Sequence, residues 1–147
     1  DDTLEEHVIE AHVEGIAISE FPTSVKAAAK ARELGLAVVM GAPNVVRGAS
    51  HSGNVSALDL GKRRLLDVLS SDYVPAGLLL AGFALQNAAE FSVPEAIATV
   101  TRNPARAVGL DDRGEIAIGQ RADLVHVRMV DTTPVVRAVW REGQRVV

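Results

Sequence analysis

Three short apolar runs, IAIS (16–19), LAVVM (36–40) and LLDVLS (65–70), each stand between helical stretches, and this alternation constrains the fold more than any other feature. Strands separated by helices cannot pair as hairpins. They lie parallel, joined by crossovers that are right-handed in nearly all known cases. The helical stretches are TLEEHVIEAHVE (3–14), TSVKAAAKAREL (23–34), Ser56 to Arg64, GLLLAGFALQNAAE (77–90), PEAIATVTR (94–102) and ARAV (105–108). Thr3 with Glu6, and Ser92 with Glu95, have capping-box spacing, and Gly15, Gly35 and Gly109 are natural helix stops. Asn103-Pro104 is expected to break the helix it follows.

A parallel sheet wants both faces covered, and three strands do not close a barrel. An eight-stranded α/β barrel takes about 250 residues, against 147 here. The chain opens on Asp1-Asp2-Thr3 and enters a helix at once. The expected fold class is therefore α/β, the C-terminal part of a TIM (β/α)8-type barrel. After Gly109 the texture changes to turn signals and alternating apolar positions (Leu124, Val127, then Val136, Val139), which reads as short β-strands. The expected domains are 1–109, part of the barrel, and 110–147, strands of a small β-sandwich.

Hydrophobic residues make up 48% and aromatics only 3%, so Ala, Val, Leu and Ile must fill the core. The net charge of −4, without a basic block, argues against an extended nucleic-acid surface. With no cysteine, disulfides and thiolate zinc sites are excluded. No apolar run reaches the ~18 residues of a membrane span, and a cytoplasmic protein is the expectation. The open edge of a partial barrel makes a homodimer a further expectation.

Ligands of parallel α/β folds meet the C-terminal strand ends. Those ends carry Glu20, the stretch GAPNVVRGASHSGN (41–54) and Ser70-Ser71-Asp72. Fourteen residues exceed the two to six that a strand-to-helix loop typically needs. Within them Asn44, Arg47, Ser50, His51, Ser52 and Asn54 are spaced by three glycines. Arg47, His51 and the hydroxyls suit a phosphorylated small molecule, and no nucleotide P-loop pattern is present. Asp72 has two open roles: a metal ligand and proton acceptor, or an N-cap or Asx turn leading into Pro75. Glu20 is equally open between ligand binding and a rim ion pair. His7 and His12 read as surface or packing residues, His126 as structural, and Lys62-Arg63-Arg64 as a solvated helix end.

NPARAVGL, GEIAIGQRADLVHV and PVVRAVWREGQRVV resemble the C-terminal end of amidohydrolase-superfamily enzymes. EFPTS, GAPNVVRGASHSGN and LSSDYVP are similar to the phosphonate-metabolism members of that superfamily, and the likeness spans essentially the whole chain. The resemblance implies a hydrolase that attacks a ribose 5-triphosphate with water, releasing pyrophosphate. It implies Asp72 as both metal ligand and base, at the end of the last barrel strand. It implies that Arg47, His51 and the nearby hydroxyls neutralise phosphate charge, and the full set of expected substrate contacts is Glu20, Asn44, Arg47, Ser50, His51, Ser52 and Asn54. The implied cofactor is a divalent metal, zinc first, with most ligands outside these residues. The first-strand HxH, the fourth-strand bridging residue and the fifth-strand histidine are absent, and Ser19-Glu20 stands where many members carry a histidine. The chain alone is expected to be inactive. Another amidohydrolase activity on a neutral ring, or a non-catalytic self-associating module, are the competing readings.

Overall fold

The computed structural model describes residues 2–48 and 53–147. The first helix, α1 (Glu5–Val13), leads into β1 (Ile18–Glu20), α2 (Val25–Glu33) and β2 (Ala37–Gly41). Then come α3 (Ala42–Arg47), α4 (Ala57–Lys62), β3 (Val68–Ser70), α5 (Gly77–Ala88), α6 (Val93–Ala98) and α7 (Arg102–Ala107). The tail holds β4 (Leu124–Val130), β5 (Thr133–Arg141) and β6 (Gln144–Arg145).

β1, β2 and β3 form one parallel sheet in that order, in register Ile18↔Ala37 and Glu20↔Val39 on one side, Val39↔Val68 and Gly41↔Ser70 on the other. The central strand has the continuous apolar run and is buried from Val38 to Gly41, as a strand covered on both faces must be. The outer side of β3 is not left open. Its Leu69 amide donates to the Thr99 carbonyl at 2.9 Å, and Thr99 is itself buried. At the opposite end from the strand tips, Asp67 ties the layers together. Its carboxylate accepts the Val38 amide at 3.0 Å and pairs with Arg32, while its carbonyl accepts the Asn103 carboxamide at 2.8 Å.

Small residues set the helix spacing. Ala27, Ala28 and Ala31 on α2 are fully buried, with Val8, Leu60 and Leu85 among the largest side chains sealed in the core. On α4, a methyl at Gly61 would lie 3.1 Å from the Ala89 Cβ, so α4 approaches the end of α5 closely because Gly61 has no side chain. Helices α1, α2 and α7 stop at Gly15, Gly35 and Gly109. In each, the next amide (Ile16, Leu36, Leu110) bonds back to a carbonyl five residues earlier. α4 ends the same way but on Arg64, at φ 59°. Its guanidinium lies 4.7 Å from the Phe91 ring centre and donates to the Glu90 carbonyl at 3.2 Å, offsetting the left-handed backbone. Arg64 is thus a packed residue as well as a helix-end cation.

Four local expectations are corrected. α1 starts after Leu4 with no side-chain cap, because Asp2 and Thr3 bond to the turn after β1 instead: the Asp2 carbonyl accepts the Thr23 amide at 2.9 Å. β1 begins two residues later than expected, since the Ile16 amide is committed to closing α1. Pro104 sits inside the first turn of α7, where a missing N–H costs nothing; the break falls at Thr101. The 41–54 stretch is not all loop: Pro43 opens α3 and Gly48, at φ 74°, closes it. The Ser92–Glu95 capping box is formed as expected.

Beyond Gly109, the antiparallel sheet β4-β5-β6 carries a register shift between His126 and Val127, and His126 pairs with Ala138. The connection into it is fixed at Gly114. There φ is 100°, and an added Cβ would sit 2.6 Å from the Arg102 Cα. Among the described residues no helix is long and apolar enough to cross a membrane.

Gly114→Ala is expected to lower the melting temperature clearly more than Gly15→Ala. Both incur the left-handed penalty of roughly 1–2 kcal/mol, but nothing lies within 4 Å of a Gly15 Cβ. Ser92 bonds hold the Glu95 carboxyl below its ordinary value. Their contribution is therefore complete above the usual carboxylate pKa and fades as pH falls through the lower folded value. Ser92→Ala is expected to flatten the acid limb of melting temperature against pH; an unchanged limb would assign that loss to other groups.

Candidate active-site rim

Parallel pairing brings the C-terminal ends of β1, β2 and β3 to one end of the sheet. Glu20 closes β1 there with its side chain exposed. The next residue, Phe21, turns at φ 51°, and its amide donates to the Val39 carbonyl at 2.9 Å. Gly41 ends β2 and forms the floor of the rim. The position a Cβ would take there is 3.5 Å from the Phe21 ring and 3.2 Å from Asp72 Oδ2, so a missing side chain lets the two approach over the strand end.

Asp72 reaches that spot with φ 50°, a left-handed conformation uncommon outside glycine. No cap explains it. α5 begins at Gly77 with Ala76 as N-cap and no side-chain bond, and the turn before it is closed by the Val74 and Gly77 amides on the Ser71 and Val74 carbonyls. Among the described residues no group donates a hydrogen bond to the Asp72 carboxylate. Asp131 and Glu142 share that backbone region in the turns of the antiparallel sheet, so what sets Asp72 apart is its place at the tip of β3, against Gly41.

The guanidinium of Arg47, on the last residue of α3, stands 5.6 Å from the ring centre of Tyr73, the residue after Asp72. The Arg47 cation, which follows β2, is thereby set against the residue that follows Asp72 at the end of β3. Asn54 is exposed on the returning chain. Asn44 is placed differently from the rest: its Oδ1 accepts the Ala57 amide at 2.8 Å, at the start of α4. Ser50, His51 and Ser52 lie outside the described residues. His7 and His12 are exposed on α1.

Sequence reasoning overlooked Asp2, Phe21, Gly41 and Tyr73. Asp2 lies beside β1 because the fully buried Ser19 hydroxyl donates to its Oδ2 at 2.5 Å. The available signal was Ser19 itself, since a hydroxyl at a buried strand position demands a partner. Thr23 uses both faces of its peptide group: its amide donates to Asp2 and its carbonyl accepts the Val55 amide at 3.0 Å. The segment before α1, the turn after β1 and the chain entering α4 are thus stitched into one rim.

As a metal centre this rim is incomplete. Among the described residues no three His, Asp or Glu side chains converge, and Asp72 offers one oxygen donor where a catalytic zinc takes three protein ligands.

A family model described as the amidohydrolase family matches residues 14–147. The chain is 50% identical to the alpha-D-ribose 1-methylphosphonate 5-triphosphate diphosphatase of Escherichia coli K12, over 99% of this chain and 39% of that protein. It is 34% identical to the dihydroorotase of Methanopyrus kandleri over 57% of this chain and 23% of that protein. An imidazolonepropionase of Deinococcus deserti is 43% identical over 36% of this chain and 15% of its own length. The chain therefore spans about two fifths of its Escherichia coli relative. In three dimensions it matches an amidohydrolase from Thermotoga maritima with a TM-score of 0.59 at 17% identity, over 94% of this chain and 45% of that structure, which supports the fold alone. From a parallel α/β sheet with its polar rim at the strand tips, and a family match running from residue 14 to the last, it follows that this chain belongs to the amidohydrolase family.

Proposed function

We propose that this sequence forms part of the active centre of a metal-dependent diphosphatase acting on a ribose 5-triphosphate, such as ribose 1-methylphosphonate 5-triphosphate. The observation that carries the reading is 50% identity, across 99% of the chain, to a relative named for that reaction. The dihydroorotase likeness, which would favour a cyclic amide substrate without phosphate, is weaker and covers 57% of the chain.

Water adds to phosphorus, the bridge between the first and second phosphates breaks, and pyrophosphate leaves with the bridging electron pair, so that a 5-phosphate remains. Asp72 accepts the proton lost by the attacking water, a role suited to an exposed carboxylate to which no described residue donates a hydrogen bond. Arg47, beside Tyr73, neutralises charge gathering on the phosphate oxygens. Glu20, Asn54, Ser50, His51 and Ser52 make the remaining substrate contacts on the same rim. A divalent metal, zinc by preference, supplies Lewis acidity when bound; Asp72 is the donor this chain brings to it. In this reading residues 1–109 belong to the barrel and 110–147 to a small β-sandwich. The protein would act in the cytoplasm, with a homodimer as its assembly.

The test is pyrophosphate release from a ribose 5-triphosphate by the longest natural polypeptide containing this sequence, with dihydroorotate as the competing substrate. Release from the triphosphate alone is expected, and turnover of dihydroorotate alone would overturn the reading. The 147-residue chain by itself is expected to release none. Asp72→Ala is expected to cut kcat by roughly 10²-fold or more while changing stability by less than about 0.5 kcal/mol. Full activity in that variant would remove Asp72 from the chemistry, and a large drop in melting temperature would assign it a structural role.

A further inference from the structure

We infer that Asn44 is a positioning residue, a clasp that fixes the approach of Arg47 to the rim and does not touch substrate; the activity part of this inference rests on the diphosphatase reading. α3 has six residues, too few to be stable on hydrogen bonds of its own. Ala42 and Val45 anchor its inner side in the core, leaving Arg47 at its exposed end. Among the described residues, the Asn44 side chain bonds α3 to the returning chain: its Oδ1 accepts the Ala57 amide at 2.8 Å across thirteen residues of sequence. Ala57 is the first residue of α4, so this amide has no partner within its own helix. Ser56, the N-cap, already serves the Asp59 amide at 3.0 Å and leaves the Ala57 amide to Asn44.

Among the described residues, the returning chain is held by Val55 on the Thr23 carbonyl and by Ala57 on Asn44. Arg47 follows Asn44 by three residues, about one helical turn, and is directed at Tyr73 beside Asp72. Phosphate oxygens would call on the Nδ2 hydrogens of an asparagine, whereas the atom engaged here is the carboxamide oxygen. That oxygen serves a backbone amide that would otherwise go unpaired at a buried helix start.

The opposite effects of two substitutions test this. Asn44→Asp keeps an acceptor for Ala57 but adds negative charge; Asn44→Ala removes the acceptor. In the longest natural polypeptide, Asn44→Ala is expected to speed hydrogen exchange of the 55–60 segment about tenfold and to raise KM for the ribose 5-triphosphate about tenfold, with kcat within about twofold. Asn44→Asp is expected to restore exchange protection and most of the affinity. If Asn44 contacts phosphate, the order reverses: Asn44→Asp binds substrate worse than Asn44→Ala and exchange is the same in all three proteins, which overturns the clasp. Exchange that rises in Asn44→Ala with KM unmoved would also overturn it, by separating the clasp from Arg47. Should Asn44→Ala fail to fold, Asn44→Ser, whose hydroxyl is too short to reach Ala57, takes its place with the same expected order. The exchange arm is read without turnover, so a protein inactive on the triphosphate would sink the diphosphatase reading while exchange still decides whether the clasp exists.

Discussion

The parallel ladder of β1, β2 and β3 is the constraint on which the rest of the molecule depends. Its strands share a direction, so every strand exit lies at one end and every entry at the other. Groups needed for the frame and groups available for chemistry are thereby separated by position. Asp67 and Arg32 work at the entry end, where their charges are spent on each other and on the Val38 amide. Asp72, Glu20 and Arg47 occupy the exit end. Two aspartates five residues apart in sequence thus have opposite assignments, fixed by which side of β3 each one stands on.

The frame is narrow because its residues are small. Buried alanines on α2, and Gly61 on α4 against Ala89, let helices lie close to a sheet with little aromatic bulk. The same economy recurs at the exit end. Gly41 has no side chain where Phe21 and Asp72 converge, so the floor of the rim is backbone and the carboxylate stands directly above it.

Much of this was legible beforehand, and the reason is local. Apolar runs bounded by Gly15, Gly35 and Gly109 mark strands and helix ends without reference to anything distant, and the Ser92–Glu95 cap is complete within four residues. Most of the unread parts depend on partners far away in sequence. Thr3 has the spacing of a cap, but its neighbourhood is claimed by Thr23 and Ser24. Asn44 has the chemistry of a ligand contact, but Ala57 claims its oxygen. Asp2 is claimed by Ser19, buried seventeen residues later, a partner that no local pattern announces. Pro104 looked like a breaker because its place within a new helix depends on where Thr101 turns. Asp72's location was readable; its freedom from a cap was not, since that followed from how α5 begins.

The paired anchors at Val55 and Ala57 have an evolutionary corollary. Thr23 and Asn44, on two other elements, fix where the chain enters α4, so the seat of that helix depends on its neighbours in space rather than on the residues just before it in sequence. Lineages that share this scaffold can therefore exchange residues ahead of Val55 while α4 keeps its place.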